Sequence, residues 1–453
     1  MKRGSIIELT IDRVAFPSKA IGTYEGHKIQ VKGALPGQKI KARIKKKKQN
    51  RIDATVLEVL EQAPNEVESF CPHFGRCGGC ARQTLSYEDQ VKLKGDQVQG
   101  LLEEAGVKDY EWGGVVASPE IYHYRNKMEY SFGDEEKGGP LTLGMHKKGR
   151  YHDVVTVDQC KIADKDFNVI LAETHKHFID RGIAKYDGVR HTGGYLRNLN
   201  VRKGKKTGEI LIGLSTSSHE EHDLKPYVDM LLDLKLQGHI VGILHIVNDG
   251  IAQVVRGDYD VLYGRDYYME ELFDLKFRVS FYSFFQTNTL GAEVLYEKAM
   301  EYMDHIESRN VFDLFSGTGT IAQIMAERAD HVTGIEIIED AVKAAEENAK
   351  LNKLDNCDFL AGDVFVKLDE VKKKPDVIVV DPPRVGIHEK TLSKILDYGV
   401  KGITYISCNP VSLAENLKQM QEAGYSVKKV CCVDMFPHTP HVETVVRLQR
   451  QNP

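Results

Sequence analysis

From residue 310 to the end of the chain, short β-branched apolar runs alternate with amphipathic stretches. Strands fit at 310–315, 331–336, 357–361, 376–380, 402–407, 427–433 and 442–448. Apolar residues at helical spacing fill the intervals, notably over 339–351 and 410–423. Strictly alternating strand and helix patterns predict a doubly wound α/β domain with a largely parallel sheet. Upstream, 121–270 reads as many short strands with glycine-rich turns, among them 127–132, 141–145, 210–214, 242–247 and 251–255. Helices at about 162–182 and 220–234 interrupt them, which predicts an α+β middle domain. Between these regions, Leu85, Val91, Leu93, Val98, Leu101 and Leu102 give a helical pattern over 85–106. At the N-terminus, alternating runs at 5–11, 28–31, 39–44 and 54–60 are broken by Gly22, Gly26, Gly33 and Pro36-Gly37. They predict a small OB-like β-barrel. The expected fold is therefore multidomain α/β. A barrel spans 1–62, the middle domain 63–270 and a Rossmann-like domain 271–453, with helix 85–106 a candidate to pack on the last of these.

Composition adds constraints. A chain of 453 residues, 42% hydrophobic, suits two or three soluble domains. No run of about 18 apolar residues is present, so no membrane span is expected. Met1-Lys-Arg-Gly4 leads straight into a strand pattern without an apolar leader, which makes the cytoplasm the expected compartment. Net charge is −5, but residues 1–60 carry 14 Lys or Arg against five Asp or Glu, a local excess of nine. Such asymmetry suits a module that touches a polyanion. Lys45, Lys46, Lys47 and Lys48 fall between two predicted strands, as a solvated hairpin tip or as a phosphate-contacting loop. The segment Tyr122-His-Tyr-Arg-Asn-Lys-Met-Glu129 is basic and aromatic, fit either for packing or for stacking on a base.

Eight cysteines in a chain expected to be cytoplasmic point to metal or catalytic roles before disulfides. Three crowd into Cys71-Pro-His-Phe-Gly-Arg-Cys77-Gly-Gly-Cys80, and Cys160 follows far downstream. The glycines let backbone wrap a small ion or cluster. Four thiolates suit zinc or a [4Fe–4S] cluster, and spacing alone does not separate the two. Cys431 and Cys432 lie inside a predicted strand and read as core.

The densest chemistry sits where the C-terminal strands end, because open α/β sheets bind ligands there. Asn310-Val-Phe-Asp-Leu-Phe-Ser-Gly-Thr-Gly-Thr320 is a strand, a glycine turn and a helix start. Gly317 and Gly319 permit close approach of a ligand to backbone. Glu336 ends the second strand, placed to accept hydrogen bonds from ribose hydroxyls. Asp363 follows the third, within reach of an adenine amino group. With no third glycine in the turn, this order favours S-adenosylmethionine over NAD. Asp381-Pro-Pro-Arg384 and Ser407-Cys-Asn-Pro410 end two further strands and put a carboxylate and a thiol on one rim. Asp381-Pro-Pro resembles the loop of amino-group methyltransferases, yet Arg384 stands where an aromatic residue would stack on the base.

A thiol on that rim has a specific use. Uracil C5 is a poor nucleophile until a thiolate adds to C6 and makes an enolate. After C5 is methylated, a base must remove its proton before the thiol can leave. Cys408 is the candidate nucleophile, and Glu443, at the start of the last strand, the candidate base.

Taken with Phe284-Phe-Gln-Thr-Asn288 and His441-Val-Glu-Thr444, these motifs resemble the RNA uracil-5-methyltransferase family across almost the whole chain. The barrel resembles a TRAM domain. The resemblance implies a class I methyltransferase using S-adenosylmethionine, with Cys408 and Glu443 catalytic. It implies that Gln286, Phe315, Glu336 and Asp381 meet the cofactor or orient the pyrimidine, alongside Gly317, Thr320 and Asp363 of the turn and third strand. Phe284 is expected to stack near the extruded base. Cys71, Cys77, Cys80 and Cys160 are expected to hold a [4Fe–4S] cluster. Ser316-Gly-Thr-Gly-Thr320 departs from some relatives, which have Cys and Asn there, and this touches the contact at Thr320. Barrel and cluster together point to 23S ribosomal RNA as substrate, and a monomer is expected.

Overall fold

The structure is a computed structural model and describes residues 2–48, 51–186, 193–251, 255–303, 309–371 and 373–451. The N-terminal strands are β1 (Ile6–Ala15), β2 (Lys19–Tyr24), β3 (His27–Lys32), β4 (Lys39–Lys48) and β5 (Arg51–Glu61), closed into a barrel in the order β1-β2-β3-β5-β4. Alternation does the closing: Ile7, Leu9 and Ile11 turn inward with Ile29, Val31, Ile40 and Ile52. At Gly22 a Cβ would lie 2.3 Å from the Thr10 carbonyl oxygen, so the β1–β2 approach excludes a side chain. The expected loop at Lys45 to Lys48 is instead the end of β4. Lys46, Lys47 and Lys48 pair with Asp53, Ile52 and Arg51. Pairing satisfies their backbone groups, while Lys45, Lys46 and Lys47 keep their ammonium groups in solvent.

Helix α1 (Tyr87–Glu104) and strand β6 (Glu111–Val116) follow. The middle region then runs β7 (Lys127–Asp134), β8 (Leu141–His146), β9 (Val154–Thr156), α2 (Lys165–Asp180), β10 (Leu196–Lys203), β11 (Glu209–Thr216), α3 (Lys225–Leu232), β12 (His239–Val247) and β13 (Tyr259–Gly264). Its strands form one seven-stranded sheet, β13-β12-β11-β10-β7-β8-β9. Phe167, Leu171, Tyr227 and Leu231 of the two helices pack on Leu199, Val201 and Ile212 of the sheet. Of the strand expected at 251–255, residues 252–254 lie outside the described residues.

A hairpin, β14 (Tyr267–Leu272) with β15 (Leu275–Ser280), leads into α4 (Thr289–Glu301). The remaining elements are β16 (Asn310–Leu314), α5 (Thr320–Ala326), β17 (His331–Glu336), α6 (Glu339–Leu351), β18 (Cys357–Ala361), α7 (Val364–Lys367), β19 (Val377–Val380), α8 (Glu389–Asp397), β20 (Gly402–Ser407), α9 (Pro410–Glu422), β21 (Tyr425–Val433) and β22 (Glu443–Arg450). They build an eight-stranded sheet, β18-β17-β16-β19-β20-β22-β21-β6. The ladders from β18 to β20 are parallel, and β22 runs antiparallel between β20 and β21. Strand order reverses beside β16, which opens a crevice at the C-terminal ends of β16 and β19.

At the start of the expected 63–270 unit, helix α1, the candidate at 85–106, packs on the C-terminal domain as expected, whereas β6 joins that domain's sheet. β6 pairs with β21 through Val430 and Trp112, and α1 buries Val98 and Leu102 in the core that holds Phe312, Leu413 and Val430. A bare β21 would expose a row of backbone donors and acceptors, and β6 covers that edge. Among the described residues, no helix is long and apolar enough to cross a membrane.

Candidate active site

The turn after β16 is built for close approach. Gly317 (φ 55°) and Gly319 (φ 72°) adopt left-handed backbone, as does Phe315 (φ 67°), which a bulky residue rarely does. A Cβ on Gly319 would come within 2.6 Å of the Phe359 ring. Glu336, at the end of β17, reaches back over the turn. Its Oε2 accepts from the Gly317 N–H at 3.0 Å and its Oε1 from the Ile338 N–H at 3.0 Å. Thr320 is buried at the start of α5. Asp363 is exposed after β18 and caps α7 by accepting from the Phe365 N–H at 2.8 Å.

Two strands along, Asp381 and Cys408 follow the adjacent strands β19 and β20. In the antiparallel ladder of β20 with β22, Ser407 pairs with Thr444, so the next positions outward are Cys408 and Glu443. Glu443 is 4% exposed, while Cys408 is half-buried. Burial, reinforced by the Asp381 charge, pushes Glu443 up to about 8. Burial alone takes Asp381 up to about 7. Burial first, then the charges of Glu443 and Asp381, push the Cys408 thiol up to about 11, and the Arg384 guanidinium pulls against them.

Arg384 was legible only as a departure from another loop type, yet its guanidinium interacts with both Cys408 and Glu443. Its own loop is held to the thiol's loop: the Arg384 carbonyl accepts from Asn409 Nδ2 at 2.8 Å and Ser412 Oγ at 3.0 Å.

The segment Phe284 to Asn288 forms another part of the rim. Phe284 is 69% exposed. The Gln286 side chain hydrogen-bonds the buried Tyr296 hydroxyl, which feels the charges of Asp381 and Glu443. The Gln286 carbonyl accepts from Asn126 Nδ2 at 3.0 Å, so the middle region braces this segment. Gln286, Asp381, Cys408 and Glu443 thus share one site, flanked by the glycine turn and Glu336. Asp363 lies furthest along the sheet. Asp313 was missed: it is fully buried in β16, where burial and the Asp381 charge raise its carboxyl well above the usual range. An acidic residue inside the apolar run Asn310-Val-Phe-Asp-Leu314 was the available signal.

Away from this site, Cys71, Cys77, Cys80 and Cys160 line one cavity of about 190 Å³ with Phe74 and Met128. Burial pushes Cys77 up to about 11 and Cys80 up to about 12. Asn168 brackets Cys160, accepting from its N–H and donating to its carbonyl, both at 3.0 Å. Among the described residues, no group of three or more His, Cys, Asp or Glu is arranged to hold a metal ion.

The sheet order, the glycine turn and the rim beside it define an α/β methyltransferase fold joined to a β-barrel. A family model described as tRNA (Uracil-5-)-methyltransferase matches residues 254–451. The solved tRNA (uracil-54, C5)-methyltransferase of Pyrococcus abyssi, in complex with S-adenosyl-L-homocysteine, is 25% identical with a TM-score of 0.77, covering 97% of this chain and 100% of that one. An uncharacterized RNA methyltransferase of Clostridium tetani is 46% identical, covering 100% of this chain and 99% of its own. Another, from Halalkalibacterium halodurans, is 34% identical over 100% and 98%. The chain belongs to the RNA uracil-5-methyltransferase family.

Proposed function

We propose that this protein methylates C5 of a uridine in RNA, using S-adenosylmethionine, through a covalent bond between Cys408 and C6. The observation that carries this is that Cys408 and Glu443 are the next positions beyond the Ser407–Thr444 pair at the open end of one ladder. The target base must leave its stack to bring C6 and C5 to a half-buried thiol and a buried carboxyl. Arg384 favours the thiolate, which adds to C6 and makes C5 nucleophilic. S-adenosylmethionine, when bound, supplies the methyl group from its sulfonium. Glu443 then accepts the C5 proton, and the electron pair it leaves behind expels the Cys408 thiolate.

The donor set around the crevice fits this cofactor. Gly317 and Phe315 offer backbone at close range, Glu336 is aimed over the turn, and Thr320 and Asp363 flank it. Gln286 and Asp381 close the side next to Cys408, where Asp381 also orients the pyrimidine. Phe284 stacks on the extruded base. Cys71, Cys77, Cys80 and Cys160 hold a [4Fe–4S] cluster, which ties residues 71–80 to the middle region. Zinc would draw all four sulfurs to about 2.3 Å from one point; four thiols around a cavity suit a larger group.

As substrate we assign 23S ribosomal RNA, on the family resemblance, acted on by a cytoplasmic monomer. The barrel does not by itself favour ribosomal over transfer RNA. The Pyrococcus abyssi protein, named for tRNA, matches 97% of this chain, and the remainder is far shorter than a 62-residue barrel. Mapping 5-methyluridine in both RNAs from a deletion strain tests the assignment. Loss from 23S RNA is expected, and loss from tRNA alone would replace it. Failure of the purified protein to move a labelled methyl group to uridine C5 would overturn the activity itself.

A further inference from the structure

We infer that the segment bearing Cys71, Cys77 and Cys80 positions Glu443 by gripping His438, which makes Gln90 and His438 positioning residues for the proton-abstraction step. This rests on the role proposed above for Glu443. His438 is buried with left-handed backbone (φ 66°), a conformation that persists only where the surroundings over-determine it. Its carbonyl accepts from the N–H groups of Ala81 and Arg82 at 3.0 and 3.1 Å, directly after Cys80. Its own N–H donates to Gln90 Oε1 at 2.9 Å, and Gln90 Nε2 lies 3.1 Å from its ring Nδ1. Tyr122 stacks on the ring at 5.4 Å, and Phe70 meets it edge-on at 4.7 Å.

The grip extends on both sides. Lys94 of α1 donates to Asp434 Oδ1 at 2.6 Å and to the Phe436 carbonyl at 3.1 Å. The Tyr124 hydroxyl donates to the Pro437 carbonyl at 3.0 Å. Five residues after His438 the chain enters β22 at Glu443. These contacts come from α1 and from residues 70–82 and 122–124, none of which belongs to β20 or β22. The ladder fixes where β22 runs, and the grip fixes how the chain arrives at its first residue.

The test separates two steps in single-turnover experiments with full-length protein, labelled S-adenosylmethionine and RNA. In Gln90→Leu, first-turnover methyl transfer should hold at the wild-type rate, while release of the methylated covalent complex slows on the order of 10- to 100-fold. Gln90→Glu keeps the acceptor for the His438 N–H and should recover part of that loss. If Gln90→Leu does not fold, Tyr122→Leu at the half-exposed side of the ring carries the same expectation. In the absence of RNA, Cys77→Ser should speed amide hydrogen exchange over 438–441. Equal slowing of both steps, or unchanged release with unchanged exchange, would overturn the inference. A Glu443→Gln protein that does not stall at release would instead overturn the underlying role of Glu443.

Discussion

Cys408 and Glu443 stand one step beyond the Ser407–Thr444 pair that ends the ladder between β20 and β22. Residues at the ends of two neighbouring strands are thereby brought side by side, and the Arg384 guanidinium interacts with both. The ladder is a rigid mount for the end of β20, and the His438 segment leads the chain into the other residue.

The two substitutions should therefore fail differently. Cys408→Ala should bind RNA, form no adduct and transfer no methyl group. Glu443→Gln should transfer one methyl group and stall, leaving a complex that survives denaturing electrophoresis. Multiple turnover by Cys408→Ala would exclude this thiol as the nucleophile.

Glu443 also carries a stability cost with a definite sign. Its folded-state value of about 8 lies above its ordinary value of 4.5, so the folded state holds the proton more tightly. Stability from this group is present below the ordinary value and is lost as pH rises toward 8. Glu443→Gln should thus melt higher than wild type, with the gap widening between pH 5 and pH 9 to a few kcal/mol. A gap that closes with rising pH would contradict the burial argument. Loss of activity with gain of stability is the pattern expected of a strained catalytic group.

Arg384 counters the negative neighbours of the thiol, so Arg384→Met should raise the Cys408 value further. Below that value the thiolate fraction falls by the same factor at every pH, so alkylation of Cys408 in the RNA-free protein should slow by one factor across the neutral range. Arg384→Lys should lie between. Unchanged alkylation of Cys408 together with weakened RNA binding would mean that Arg384 binds RNA and does not tune the thiol.

How much of this was readable in advance depended on local pattern. The runs of β16 to β22 are β-branched, end in glycine, proline or acid, and announce their own C-terminal rim. Cys408 and Asp381 could be placed from that grammar alone, whereas Glu443 starts its strand and was reached through the need for a base in uracil C5 chemistry. β6 could not. Glu111-Trp-Gly-Gly-Val-Val116 has no alternation, contains Gly114 at φ 78°, and owes its strand to β21 more than 300 residues away. Lys45 to Lys48 read as a loop because four lysines carry no apolar period, whereas their β5 partners supply the ladder. Arg384 was hidden because its partner, Cys408, is close only once two loops are tied together.

The barrel offers a separable test. Lys45, Lys46 and Lys47 project from a paired strand with their ammonium groups in solvent. If they meet phosphates, neutralising all three should weaken RNA binding and reduce the slope of log affinity against log salt by about 0.7–0.9 for each phosphate released. Methyl transfer at saturating RNA should suffer less than affinity. Unchanged affinity and slope would make them a solvated strand end.

The cysteine cavity makes the sharpest chemical claim. Its thiols lie in one pocket, and burial holds Cys77 and Cys80 in the protonated form when nothing is bound. Ligation requires thiolates, so uptake of a cluster must release protons and proceed more readily as pH rises. Anaerobically purified protein is expected to be brown and to carry about four irons per chain. Cys77→Ser should lose that iron and weaken RNA binding, while Cys408 still forms an adduct at saturating RNA, because the ladder that mounts it does not pass through the cavity. Zinc without iron in elemental analysis of the anaerobic sample would sink the cluster assignment and require the four sulfurs to converge on a single ion.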